Sequence, residues 1–298
     1  MDDIEIKDGK MYGGWRAPEN LYRALKTSIH DDDVAKKVGM RGGTIPGTIH
    51  LSLFAPLAQK LFGDRWFEKG TVSMYYTYAT IDKEEVRAII ELPEGTMEDS
   101  LPITTDNVQY KAWGELKGGQ QIMMGTVAIG TPDEPSYLQS LELKNSNPEE
   151  LRILEGYNVG DEYGPTEVLI TQEDAIKGLP SITDRLEYYK GKSPWGKSIL
   201  SPTASFGTMT MGLTAYNKTW DKGVPFFGAT EVRYINGPIL VDTHYIAKGN
   251  LASVGVSRKT EYFWLDGTLE EKETGKIVAS MRHMNRYMKA GSPLYEDE

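Results

Sequence analysis

Apolar positions change period along the chain. Ile49, Leu51, Phe54, Leu57, Ala58 and Leu61 recur at near-helical spacing and stop at Gly63, a residue type well suited to end a helix. This spacing predicts one central helix in the first half. Around it the sequence reads as strands: V-S-M-Y-Y-T-Y, V-R-A-I-I-E-L, V-Q-Y-K-A-W-G and I-M-M-G-T-V-A-I-G. These runs are rich in β-branched and aromatic residues and are bounded by Gly, Pro and Asp. The second half repeats the plan. Its apolar run is Phe206, Met209, Met211, Leu213 and Tyr216, richer in Gly, Thr and Ser and weaker by helix propensity. Strand-like runs follow: A-T-E-V-R-Y-I, L-V-D-T-H-Y-I, S-R-K-T-E-Y-F-W-L and I-V-A-S-M-R-H-M-N-R-Y-M. A helix followed by several antiparallel strands predicts an α+β layout, a sheet wrapped on a helix.

Landmarks in the two halves keep a nearly constant separation. Gly43 and Gly196 each open a turn before the apolar run and lie 153 residues apart. Trp66 and Gly70 recur as Trp220 and Gly223, Val86 as Val241, and Gly119 with Ile122 as Gly275 with Ile277, the Gly119–Gly275 separation being 156 residues. This spacing predicts an internal duplication, two similar domains related by a pseudo-twofold axis. The polar stretch from Asp133-Glu134-Pro135 to Asn145-Ser146-Asn147-Pro148-Glu149-Glu150 is the expected junction. The predicted domains are 1–140 and 141–298. Their sheets are expected to pair into one continuous antiparallel sheet. Two such chains are expected to associate as a homo-oligomer, because edge strands need cover.

Composition narrows the function. The chain has 298 residues, 39% hydrophobic and 26% charged, which suits a globular protein. It has no cysteine, which rules out disulfides, a thiolate nucleophile and thiolate-bound zinc. A formal net charge of −10 argues against nucleic acid as the main partner. The N-terminal sequence lacks a secretory pattern, and no window approaches the roughly 18 apolar residues of a membrane span. A cytoplasmic location is expected. Four scattered His without close spacing predict no metal site, and no cofactor is expected. R-G-G-T-I-P-G-T lacks the ending of a phosphate loop, Asp31-Asp32-Asp33 lacks the spacing of a calcium loop, and T-A-S-F-G-T is not a nucleophile elbow.

Residues Ser28 to Phe54, S-I-H-D-D-D-V-A-K-K-V-G-M-R-G-G-T-I-P-G-T-I-H-L-S-L-F, resemble the hydratase motif of MaoC-like hot-dog proteins. The second half resembles the same family in V-G-D-E-Y-G-P, T-D-R-L-E-Y-Y, S-P-W-G-K-S-I-L-S-P-T and V-R-Y-I-N-G-P-I. The resemblance spans roughly Leu21 to Met288. It implies a double hot-dog fold, two antiparallel sheets each wrapped around a central helix. It also implies a lyase, a hydratase or dehydratase acting on an acyl-CoA or acyl-carrier-protein thioester.

Residue by residue, His30 matches the motif His and Asp32 the Asp after it. Five residues before His30, where the motif carries Asp, stands Leu25. In the second half Asp184 stands at the motif Asp, but Tyr189 takes the place of the His. Gly47 matches the Gly whose N–H serves as oxyanion donor at the helix start, where the second half has Ser201-Pro202-Thr203. The resemblance thus implies His30, Asp184, Gly47 and Tyr189 as catalytic candidates, with His50, Asp32 and Thr48 at the substrate. Each has a structural alternative: a cap beside His30, a core imidazole at His50, an ion pair or cap at Asp184, packing at Tyr189. The chemistry is consistent with these types. Hydration of an enoyl thioester needs a base for water and a donor for the thioester oxygen, and an unpaired amide at a helix start supplies the latter. The abundant Met and Tyr suit core packing and also an adaptable apolar acyl tunnel. Three other readings stay open: an acyl-CoA thioesterase, a catalytically degenerate acyl-CoA-binding or partner subunit, and a repurposed enzyme acting on a non-CoA substrate.

Overall fold

The structure is a computed structural model that describes residues 3–191, 193–213, 219 and 221–295. Two residues used above, Tyr216 and Trp220, lie outside the described residues. Among the described residues eleven strands form one antiparallel sheet: β1 Glu5–Lys7, β2 Lys10–Tyr12, β3 Gly70–Tyr76, β4 Val86–Glu91, β5 Val108–Leu116, β6 Gln121–Ile129, β7 Glu162–Leu169, β8 Val224–Tyr234, β9 His244–Val256, β10 Thr260–Glu271 and β11 Ile277–Met288. Their order is β1-β2-β4-β5-β6-β3-β8-β11-β10-β9-β7. From the outside inward, the second half runs β7, β9, β10, β11, β8. The first half, from β2 inward, runs β2, β4, β5, β6, β3, the same order of chain positions. The duplication read from spaced landmarks is therefore a duplication of topology. The halves join at β3 and β8, paired from Thr71↔Arg233 to Tyr75↔Ala229.

Each half wraps its sheet around a helix. The α-helices among the described residues are α1 Asp32–Lys37, α2 Phe54–Phe62, α3 Trp66–Lys69, α4 Gln172–Gly178 and α5 Pro202–Thr210. The first central helix begins as a 3-10 turn, Gly47–Leu53, and continues as α2. The change of pitch falls next to Pro56, which has no N–H to give the carbonyl four residues back. Gly63 ends α2 at φ 73°, the left-handed conformation a glycine tolerates. In the second half α5 starts at Pro202, with the Ser201 hydroxyl accepting from the Ala204 N–H at 3.2 Å. It ends at Thr210, before Met211 and Leu213, so the helix covers only part of the predicted apolar run. The two central helices touch. Thr203 Oγ1 donates to the Thr48 carbonyl at 2.8 Å and so accepts from Ser52 Oγ at 2.7 Å.

One strand expectation shifts. L-V-D-T-H-Y-I is not a single strand: Asp242 takes φ 50°, and β9 begins only at His244. The polar junction is held against the sheet. Leu138 is buried with Ala229, Trp264 and Met284 on the face away from the helices. The Leu138 N–H donates to Ser73 Oγ at 3.0 Å and the Tyr137 N–H to Thr126 Oγ1 at 3.1 Å. Beyond it, Glu261 on β10 is fully buried and accepts from three successive backbone amides, Arg152, Ile153 and Leu154, at 2.8–3.0 Å, and from the Tyr295 hydroxyl at 2.7 Å. Neither oxygen is spare, and a carboxamide can accept at only one end. Glu261→Gln is expected to destabilise the protein by about 2–4 kcal/mol, read as a fall in urea midpoint; an unchanged midpoint would remove the clamp from the stability account.

Candidate functional site

A cavity of about 790 Å³ lies where the halves meet. The first half contributes residues 22–30, the start of the 3-10 turn, and the end of β3 with the chain after it. The second contributes α5, β8 and β11. Much of the wall is apolar or aromatic, including Ile45, Tyr76, Tyr78, Phe206 and Phe227. No Asp, Glu or Lys lines it among the described residues. Arg286 is at its margin, but its guanidinium is engaged with the Tyr75 hydroxyl and the Met284 sulfur. Those two residues belong to the cluster on the opposite face of the sheet.

His30 lines this cavity. Its Nδ1 lies 2.6 Å from the Thr44 carbonyl oxygen. A carbonyl only accepts, so Nδ1 carries the proton and Nε2 keeps the lone pair. Burial lowers the imidazole pKa, with the Thr44 bond opposing in part, so the ring is neutral near neutral pH. The surrounding loop is tied at several points. Asn20 Nδ2 donates to the His30 carbonyl at 2.8 Å, and the Gly43 N–H donates to Asp32 Oδ1 at 2.7 Å. At Gly43 a Cβ would come within 2.2 Å of the His30 carbonyl oxygen, so only glycine fits. Asp31 caps α1 through the Asp33 and Val34 N–H groups and pairs with Lys26 at 2.6 Å. Asp32 is thus a strut of the loop that carries His30 and is not a cavity residue.

Gly47 and Thr48 start the 3-10 turn and line the cavity. Their N–H groups have no acceptor within the turn. The Tyr76 ring lies so close to Gly47 that a Cβ there would stand 2.8 Å from it. His50 also lines the cavity; its Nε2 is 2.8 Å from Thr80 Oγ1, while its buried Nδ1 has no hydrogen bond. Burial pushes its pKa down to about 4.

The structure brings His30, Gly47, Thr48 and His50 together and leaves Asp184 and Tyr189 elsewhere. Asp184 is buried in a small crevice beside Gly13, Gly14, Pro56 and Leu57. Its Oδ2 accepts from the Tyr189 hydroxyl at 3.3 Å, and its Oδ1 from the Leu186 N–H at 3.3 Å. The two pseudo-symmetric positions form a buried pair with each other and do not line the cavity of His30. Sequence reasoning missed Tyr76 and Asn285, both of which line the cavity. The signal was present as a surplus of tyrosines and a strand reading M-R-H-M-N-R-Y-M, but its face was not legible. Among the described residues no group of three or more His, Cys, Asp and Glu could hold a metal ion. No helix among them is long and apolar enough to cross a membrane.

With this geometry in place, comparison with known proteins gives a consistent fold. No protein-family model matches the chain, and no curated protein matches it. Solved structures do. A conserved hypothetical protein from Mycobacterium tuberculosis, described as having a double hot-dog fold, aligns with TM-score 0.58 and 8% identity over 96% of each chain. A MaoC domain protein named as a dehydratase, from Chloroflexus aurantiacus J-10-fl, aligns with TM-score 0.57 and 9% identity over 97% of this chain and 95% of its own. A MaoC-like dehydratase aligns with TM-score 0.52 and 11% identity over 96% of this chain and 97% of its own. The chain has the double hot-dog fold that the resemblance implied.

Buried imidazoles make stability pH-dependent. Burial lowers His30, and pushes His50 to about 4 and His283 to about 3. Below the unfolded value near 6.5 the unfolded chain binds protons that the folded chain refuses, so stability falls as pH falls. From pH 7.5 to 5.5, His50 and His283 together are expected to remove about 3 kcal/mol. Urea unfolding at the two pH values checks this; equal stability would contradict it.

Proposed function

We propose that this protein is a hydro-lyase that interconverts a 2-enoyl thioester and its 3-hydroxyacyl thioester, carried on coenzyme A or an acyl carrier protein. The observation that supports the reading is the His30 imidazole, its proton committed to the Thr44 carbonyl at 2.6 Å, in a cavity that also holds the helix start at Gly47. The shared fold of MaoC-like dehydratases is consistent with it.

In the hydration direction, His30 Nε2 takes a proton from water as the water oxygen bonds to the β-carbon. The electron pair of the carbon–carbon double bond moves toward the thioester oxygen. The N–H groups of Gly47 and Thr48 stabilise that oxygen as charge develops. The imidazolium then returns its proton to the α-carbon, and the ring is neutral again. Dehydration runs the same steps in reverse, so one imidazole serves as base and then acid. Asp184 and Tyr189 take no part in this route. His50 and Thr48 bound the site beside the substrate. Hydrolysis of the thioester is less well served: a carboxylate to activate water is absent from the described lining.

His30→Ala and His30→Asn are each expected to lower hydration of an enoyl-CoA by about 10²–10⁴-fold, while circular dichroism shows retained folding. The wild-type kcat/KM is expected to fall on the acid side through an apparent pKa below the free imidazole value of about 6.5, because protonated Nε2 cannot accept. Full turnover in a folded His30 variant would overturn the assignment. Failure to hydrate crotonyl-CoA and a panel of longer enoyl thioesters would favour the binding-subunit reading; acyl-CoA hydrolysis in its place would favour the thioesterase.

A further inference from the structure

The cavity holds polar atoms that the proposed reaction does not use. Asn285 on β11 is 1% exposed, and both its Nδ2 and its Oδ1 lack a hydrogen bond. The Tyr287 phenol lies beside it without meeting hydrogen-bond geometry. Tyr76 on β3 is the second case. Its hydroxyl is buried without a hydrogen bond, although the Thr230 hydroxyl is near. Burial holds this phenol far above its ordinary pKa, so it stays protonated and can donate.

Sheet register places these two groups on the same floor. Tyr76 is one residue beyond the Tyr75↔Ala229 pair that joins β3 to β8, and Asn285 pairs with Phe227 across β8 and β11. The two residues therefore sit two strands apart, on either side of β8, and both line the cavity. A buried polar group without a partner costs about 1–3 kcal/mol. A plain alkyl chain would seal that cost in. A ligand oxygen would relieve it, accepting from Asn285 Nδ2 or the Tyr76 hydroxyl; a ligand hydroxyl could also donate to Asn285 Oδ1. These partners suit a neutral group, because a carboxamide and a protonated phenol carry no net charge and the Arg286 guanidinium is engaged on the opposite face.

We propose that the cavity selects an acyl thioester whose acyl group carries a neutral oxygen function, a hydroxyl or keto group, seated on the Asn285 carboxamide and the Tyr76 hydroxyl. This rests on the thioester reading above and names the class of acyl group within it. The oxygen function is separate from the one formed at the β-carbon, since Asn285 stands on β11, across β8 from Tyr76, whose ring lies against the helix start.

Binding of unreactive saturated thioesters tests the proposal apart from catalysis. The probes are decanoyl-CoA and its mono-hydroxylated and mono-keto isomers, titrated calorimetrically into the whole protein. At least one oxygenated isomer is expected to bind about tenfold or more tightly than decanoyl-CoA. Asn285→Leu is expected to collapse that ratio toward one, and Tyr76→Phe, which removes a single oxygen, to reduce it. Tight binding of decanoyl-CoA with no preferred isomer overturns the inference and leaves the thioester reading standing, a buried water then being the partner of these atoms. An advantage that survives in both folded variants overturns it as well. Failure of every thioester, decanoyl-CoA included, overturns the thioester reading and the inference with it.

Discussion

The seam between β3 and β8 decides where anything can bind. Only five residue pairs cross it, Thr71↔Arg233 to Tyr75↔Ala229. β3 spans 7 residues and β8 spans 11. Among the described residues the first part of β8 therefore runs past the end of β3 without a strand partner on that side. Pro225, Phe226 and Phe227 lie in this free stretch and line the cavity. A longer β3 would replace open space with ladder. Mismatched strand length at a pseudo-twofold seam thus gives the molecule both one sheet and one shared cavity.

The repeated topology has two central helix starts, and they differ. The first opens on Gly47, whose lack of a side chain lets the Tyr76 ring lie against it. The second opens on Pro202, capped by Ser201, and a proline offers no amide at that place. In the second half the Asp184 carboxylate accepts from the Tyr189 hydroxyl, away from the cavity. The halves differ at the cavity: the first lines it with His30 and Gly47, and the second, through Phe206, Phe227 and Asn285, supplies the facing wall and floor.

Much of the fold was legible because apolar period and glycine position are local signals. The helix ending at Gly63 and the strand at Ile277–Met288 follow directly from them. The 3-10 start of the central helix and the break at Asp242 were not legible, since each depends on one residue's backbone freedom against its neighbours. The site divides the same way. His30 and Gly47 stand in a contiguous motif, and the structure places both at the cavity. Asp184 was suggested by its match to one residue of the motif, which fixes chain position but not which crevice a side chain enters. Asn285 and Tyr76 were out of reach, because the face each presents depends on register across three strands.

In the proposed reaction His30 is a coherent choice of base for this cavity. Backing by a carboxylate would stabilise imidazolium and raise its pKa. Backing by the Thr44 carbonyl fixes the same tautomer without that charge, and burial then keeps the ring neutral. In the proposed reaction, charge appears only as a pair: imidazolium on one side, an enolate held by backbone amides on the other. Each is the other's counter-ion, so a fixed carboxylate is not needed to balance the site. An uncompensated imidazolium in such surroundings would cost several kcal/mol. Return of the proton to the α-carbon neutralises both charges at once, the step that completes the chemistry. A nearby Asp would speed the first transfer and slow the second, and the absence of acids among the described lining residues suits a base that must give back what it takes.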